Sequence, residues 1–156
     1  MSVRLRRALA HDRYLLWLWA NDPASRVASG DRPSIGWEDH CQWFAERGTS
    51  PNALVLIGET DAGQPVGTIR FETANDWRQA RLSYAVAPES RGAGIGRELL
   101  RLGIDELRRR APGAEIVAEV RGANAASVRL FQALGWEGSE GGDGWIRFVS
   151  GRVGAR

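Results

Sequence analysis

Lysine is absent from this chain of 156 residues, and all 21 of its basic residues are arginine. That excludes the lysine-bearing phosphate loop of nucleoside-triphosphate hydrolases and any Schiff-base chemistry on a lysine. Cysteine occurs once, at Cys41, which excludes an internal disulfide and a cysteine-based metal cluster. Cys41 is expected as a packed thiol on a helix, and no metal site is expected anywhere. Long apolar runs are missing too. The longest, Tyr14–Ala20, is far too short to span a bilayer, and the N-terminus lacks the apolar core of a secretory signal. A reducing, cytoplasmic setting without a membrane partner is the expectation. Charge of one sign is scarce: 21 basic against 19 acidic residues leave +2, too little to argue for a nucleic-acid partner. The densest basic run, Arg108-Arg109-Arg110, ends a helix, where cations suit the dipole. The two histidines, His11 and His40, have no evident partner, and surface or capping roles are expected for them.

What is present is the composition of a globular domain, 43% apolar and 26% charged. The length fits one domain, expected over residues 1–150, with a frayed tail from Ser150 onward. Val3–Leu9 reads as a strand. Asp12 suits an N-cap for a helix through Ala20, and Asn21-Asp22-Pro23 stops it. A polar loop is expected from there to Pro33, then a second helix capped by Ser34 and ended by Gly48. Strands are predicted over Ala53–Gly58, Pro65–Glu72 and Gln79–Val86, with Ile69 and Phe71 on one face and Thr68, Arg70 and Glu72 on the other. A helix over Ile95–Arg110 carries an apolar stripe. Glu115–Arg121 is a further strand, Asn124–Leu134 a helix stopped by Gly135, and Trp136–Ser139 with Gly144–Val149 a closing hairpin. The predicted order is β-α-α-β-β-β-α-β-α-β-β, an α/β (α+β) domain with one central, mixed, mostly antiparallel sheet flanked by helices.

The chemistry concentrates in Val86-Ala87-Pro88-Glu89-Ser90-Arg91-Gly92-Ala93-Gly94-Ile95-Gly96-Arg97, a strand end, a proline stop, a glycine-rich turn and a helix start. Small residues at 92, 93, 94 and 96 let backbone N–H groups approach a ligand, and the helix N-terminus adds unpaired donors and positive dipole. Together they suit a phosphate or pyrophosphate. The dinucleotide fingerprint Gly-x-Gly-x-x-Gly does not fit glycines at 92, 94 and 96. Arg-x-x-Gly-x-Gly does, at Arg91, Gly94 and Gly96 after a strand ending in Val-x-Pro.

This loop resembles the acetyl-CoA loop of the GNAT superfamily of N-acetyltransferases. The run Asn124 to Trp136, with Ser127, Leu130, Phe131 and Gly135, resembles the family's later Asn-x-x-Ser/Ala…Leu-Tyr-x-x-x-Gly-Phe helix. The element order matches across nearly the whole chain. The resemblance implies a single GNAT-like domain using acetyl-CoA as co-substrate, with a small-molecule amine as acceptor, as a monomer or homodimer. Backbone groups of Tyr84, Ala85 and Val86 would pair with the pantetheine arm, and the N–H groups of residues 92 to 97 (Gly92, Ala93, Gly94, Ile95, Gly96, Arg97), following Arg91, would hold the pyrophosphate. Asn124 would hydrogen-bond the pantetheine arm, with Ser127 and Phe131 nearby. An N-cap is the plain alternative for Asn124.

Acetyl transfer to an amine needs a base, stabilisation of the oxyanion and, for the departing thiolate, an acid. Glu119-Val120-Arg121-Gly122-Ala123-Asn124 resembles a stretch of ribosomal-protein N-alpha-acetyltransferases whose glutamate is the base, so Glu119 is the first candidate and Glu72 the second. The family's usual tyrosine falls at position 131, which is phenylalanine here; Tyr84 or water would have to serve as acid. The acceptor region, Trp19–Arg26 and Ile35–Phe44, resembles N-acetyltransferases of nucleotide-linked amino sugars in nonulosonic acid pathways. Trp37 and Trp43 would offer stacking faces and Arg26 or Arg32 a phosphate partner, against the plainer account that Trp17 and Trp43 are core. Protein N-termini or other small amines, and a non-catalytic acetyl-CoA-binding module, are the competing readings.

Overall fold

The computed structural model describes residues 2–30 and 32–151. Seven strands form one sheet: β1 (Val3–Arg7), β2 (Ala53–Thr60), β3 (Pro65–Glu72), β4 (Gln79–Val86), β5 (Glu115–Arg121), β6 (Glu137–Gly142) and β7 (Trp145–Val149). Their spatial order is β1-β2-β3-β4-β5-β7-β6, and the β4–β5 pair is the parallel one. Five helices cover the faces: α1 (Arg13–Asn21), α2 (Pro23–Ala28), α3 (Trp37–Thr49), α4 (Ile95–Arg110) and α5 (Ala125–Ala133). None of them is long and apolar enough to cross a membrane.

Alternation decides the strands. On β3, Ile69 and Phe71 are fully buried while Thr68, Arg70 and Glu72 are half-buried on the opposite face. The first set packs with Leu100, Ile104 and Leu107 of α4. The opposite face meets α1, where Leu16 and Trp19 pack on Val55 and Ile57 of β2. Gly103 lets α4 lie close to the sheet, because a Cβ there would stand 2.5 Å from Ile69 Cδ1.

The structure corrects the expected elements in four places. Residues 23–28 form a helix rather than a loop: the Asp22 carboxylate accepts from Ser25 N–H, and Pro23 takes the first position. The helix after it is capped at Gly36, not Ser34, and passes Gly48 to end at Thr49. His40 is buried, 3% exposed, rather than on the surface; its Nε2 lies 2.8 Å from the Arg13 carbonyl. Ser150 is anchored, since its N–H donates to the Ile116 carbonyl and its Oγ accepts from Ile116 N–H. The rest of the expected tail, residues 152–156, lies outside the described residues.

Asp12 precedes α1 as expected, but its carboxylate serves β1 instead of the helix. It accepts from both terminal guanidinium nitrogens of Arg6 at 2.7 and 2.8 Å and from Leu9 N–H at 2.7 Å. Burial pushes the carboxyl up, but the Arg6 and Leu9 hydrogen bonds outweigh it and hold it below the ordinary aspartate value. A depressed pKa in the folded state means stability present at neutral pH and lost as pH falls below the ordinary aspartate value. Asp12→Asn is therefore expected to lower the unfolding free energy by about 3–5 kcal/mol at pH 7 and by a smaller amount at pH 3, as read by urea unfolding. Equal losses at both pH values would contradict the charge pairing.

Candidate active site

The parallel pairing of β4 with β5 stops after Gln79–Glu115, Ala80–Ile116 and Arg81–Val117. Beyond it β4 stays with β3 as far as Val86, while β5 pairs with β7 along Val117–Arg121. The two strands part, and one edge of Leu82–Val86 faces a cleft of about 1690 Å³ rather than another strand. Single small-ligand pockets are commonly about 300–1,000 Å³, so this cleft has room for two substrates. A separate cavity of about 550 Å³ at the other end of the sheet is lined by Trp77, Arg78 and Pro112, with no part of the glycine loop.

The glycine loop forms one mouth of the cleft. A 3₁₀ turn at Pro88–Ser90 leads to Gly92 at φ +81 and Gly94 at φ +78, and Gly94 is the N-cap of α4 without any side-chain cap. The first-turn N–H groups of α4 are thus left for an anion. A Cβ at Gly92 or Gly94 would meet nothing within 4 Å; the left-handed backbone is what requires glycine there. Gly96 differs from the expectation. A Cβ on it would lie 3.3 Å from Leu130 Cδ1 and 3.4 Å from Tyr84 Cε2, so its small size serves packing of α4 against α5 and β4. Ile95 buries its side chain with Val3 and Leu99, leaving only its backbone to a ligand, whereas Ala93 and Arg97 are exposed. The Arg91 guanidinium donates to Asp22 Oδ2 at 2.7 Å, tying the loop to the start of α2 and holding the Asp22 carboxyl below its ordinary value. The sequence reading missed this pair.

Tyr84, Ala85 and Val86 sit half-buried along the open edge of β4. Across the gap, Asn124 caps α5 by accepting from Ser127 N–H, so the plain N-cap role is present and its amide N–H₂ remains a donor. Ser127 is buried, with its Oγ 2.8 Å from the Tyr84 hydroxyl. Burial pushes the Tyr84 phenol up, partly offset by the Ser127 contact, so Tyr84 keeps its proton at physiological pH. Phe131 is a core residue, 1% exposed, stacked with Phe148 at 5.3 Å and edge-on to Tyr84 at 6.2 Å. It touches the cleft only as part of its wall.

The two candidate bases part company. Glu119 lies in the cleft, exposed, with guanidinium nitrogens of Arg81 and Arg147 at 3.6 and 3.9 Å. These are ion pairs beyond hydrogen-bond reach. Glu72 is absent from the cleft lining and is held by Arg70 at 3.0 Å and Arg47 at 3.5 Å. Tertiary structure thus separates the first candidate base, which lies in the cleft, from the second, which does not.

On the acceptor side, Trp43 borders the cleft with the Arg70 guanidinium 5.0 Å from its ring centre, whereas Trp37 packs with Tyr14 and Trp17 away from the cleft. Trp17 is half-buried and donates from Nε1 to the Ile35 carbonyl. Arg26 and Arg32 both line the cleft: Arg26 spends its Nε on the Ala20 carbonyl at 2.6 Å and burial pulls its pKa down, whereas Arg32 is exposed. Trp145, with Arg121 over its ring at 4.9 Å, is a further wall residue that sequence reading missed. Among the described residues no three His, Cys, Asp or Glu side chains gather as a metal site.

The same overall fold occurs in solved structures. The chain resembles spermidine N-acetyltransferase of Vibrio cholerae, crystallised with CoA and spermine, at TM-score 0.83 and 16% identity, covering 94% of this chain and 92% of that one. Ribosomal-protein-alanine N-acetyltransferase of Brucella melitensis gives TM-score 0.75 and 27% identity over 94% and 96%. The yncA protein of Salmonella typhimurium, solved with acetyl-CoA, gives 0.77 and 24% over 100% and 96%. No curated protein matches the sequence. At these identities the structural likenesses speak for the fold. The sequence itself goes further: residues 12–136, which contain the glycine loop, the parted strands and the whole of α5, match the model of the Acetyltransferase (GNAT) family. The chain therefore belongs to the GNAT family and is an acetyl-CoA-dependent N-acetyltransferase.

Proposed function

We propose that the chain acetylates the primary amine of a nucleotide-linked amino sugar directly from acetyl-CoA, with Glu119 as the base. Acetyl-CoA supplies the thioester acyl group. The open edge of Tyr84–Val86 pairs with the pantetheine amides, the N–H groups of residues 92 to 97 hold the pyrophosphate, and Asn124 donates to the pantetheine arm. Glu119 takes the proton from the attacking amine. Tyr84, which keeps its proton and faces Ser127 Oγ at 2.8 Å, donates toward the thiolate when Ser127 is the donor in their shared hydrogen bond.

The observation that carries this reading is the position of Glu119: a carboxylate in the cleft formed where β4 and β5 part, with no hydrogen bond to another described side chain. Its lone pairs are available to an amine. The amino-sugar part rests on the likeness of the Trp19–Phe44 region, of which Trp43 and Arg32 border the cleft. A second reading, acetylation of a protein N-terminus, is favoured by the Glu119–Asn124 run and by the likeness to the Brucella enzyme.

Acetyl-CoA-dependent release of CoA is expected with amino-sugar nucleotides and not with peptides or polyamines. Turnover confined to N-terminal peptides would select the second reading. Tight acetyl-CoA binding without CoA release for any amine would reduce the chain to a binding module and overturn both.

A further inference from the structure

The sheet face under the acceptor end of the cleft carries more positive charge than the protein itself neutralises. Arg70 on β3, Arg81 on β4 and Arg147 on β7 stand on the same side as Glu72 and Glu119, the side turned away from α4. Arg47 reaches in from α3. Four guanidiniums thus share three carboxylates: Glu72 meets Arg70 and Arg47 at 3.0 and 3.5 Å, Glu119 meets Arg81 and Arg147 at 3.6 and 3.9 Å, and Arg47 is also paired with Glu46 at 3.3 Å, which leaves the excess at Arg70 and Arg81. The pairs at Glu119 are too long for hydrogen bonds, so these guanidiniums keep donors free. Arg70 is fixed by stacking on Trp43 at 5.0 Å, which spares most of the entropy of ordering a long side chain on a ligand.

Resting on the acetyl-transfer reading above, we infer that the acceptor amine carries a carboxylate or phosphate group, and that Arg70 and Arg81 at the base of the cleft bind this anion while Glu119 faces the amine. The arrangement is selective in both directions. An anion settles between under-compensated guanidiniums that present paired donors to a planar or tetrahedral oxyanion. A polycation meets like charge at the same place, which disfavours wrong partners. Desolvation lowers the Arg70 pKa, with Glu72 opposing and the Arg47 and Arg81 charges adding to it. The fold is shared with a spermidine N-acetyltransferase, yet on this face a polyamine is the acceptor class least suited.

The test uses three amino sugars of one ring and different charge, glucosamine, glucosamine 6-phosphate and 2-amino-2-deoxyglucuronic acid, with spermidine as the polycation. CoA release is measured with each, and amine binding to the CoA-bound protein is followed by calorimetry. An anionic amine is expected to exceed glucosamine in kcat/KM on the order of tenfold to a hundredfold at low salt, with the advantage shrinking as salt rises. The better of the phosphate and carboxylate arms names the anion. Arg70→Gln and Arg81→Gln are each expected to pull that ratio toward one, chiefly through KM and the calorimetric affinity for the amine, without changing acetyl-CoA affinity; Arg70→Lys restores part of it. Glucosamine or spermidine matching the anionic amines on the unmodified enzyme overturns the inference while acetyl transfer stands, and so does an unchanged ratio in both variants. No CoA release with any amine, including the amino-sugar nucleotides and peptides, removes the acetyl-transfer reading and this inference together.

Discussion

Glu119→Gln is expected to lower kcat at neutral pH by about 10²–10⁴-fold, the usual contribution of a positioned base. Glutamine has nearly the same shape and still fits between Arg81 and Arg147, so neither the cleft nor the β5–β7 register across Glu119–Arg147 should change. What it lacks is an oxygen able to take a proton. The glycine loop, the open edge of Tyr84–Val86 and Asn124 are untouched, so acetyl-CoA affinity by calorimetry should stay within about twofold of the parent. Glu72→Gln is the informative companion. Glu72 is outside the cleft lining and paired with Arg70 and Arg47, so its variant is expected to affect stability more than turnover. Full activity in Glu119→Gln would remove Glu119 from the mechanism, and a collapse in Glu72→Gln alone would move the role there.

Gly94→Val should remove measurable acetyl-CoA binding. The residue sits at φ +78 as the N-cap of α4. A β-branched side chain in that conformation is strained by roughly 1–3 kcal/mol, and the loop escapes the strain by turning its N–H groups elsewhere. Since each ~1.4 kcal/mol is tenfold, strain and lost donors together should weaken binding on the order of a hundredfold or more. No atom within 4 Å of the missing Cβ is displaced, so the fold itself should tolerate the change. Gly113→Ala is a suitable control: it also meets nothing within 4 Å, has no positive φ and lies by the smaller cavity. Retained tight binding in Gly94→Val, with a thermal unfolding midpoint like the parent's, would contradict the loop's assignment to the pyrophosphate.

Elements governed by local rules were readable in advance. The strands at Pro65–Glu72, Gln79–Val86 and Glu115–Arg121 and the helix at Ile95–Arg110 occur at the predicted residues, because alternation and a helical stripe are properties of consecutive side chains. The helix over Pro23–Ala28 was hidden because it is one and a half turns long and none of its residues is buried. Its signal was nevertheless there: Asp22-Pro23 ends α1 and also supplies the N-cap and first-turn proline of the next helix. His40 escaped for the opposite reason. Nothing adjacent in sequence identifies the Arg13 carbonyl as its partner, 27 residues away.

The chain's order of residues determined the strand and helix periods, the left-handed glycines before Ile95 and the candidates Glu119 and Asn124, all of which depend on neighbours within a turn or two. Only the tertiary structure decided that β4 and β5 part after Arg81 and Val117, β5 continuing with β7 along its other edge and β4 with β3. That divergence creates the cleft, puts Glu119 into it and leaves Glu72 outside. It also collects arginines from β3, β4 and β7 on one face and joins Asp22 to Arg91 across 69 positions of sequence. These are long-range arrangements set by how whole strands pack, and no local pattern of side chains encodes them.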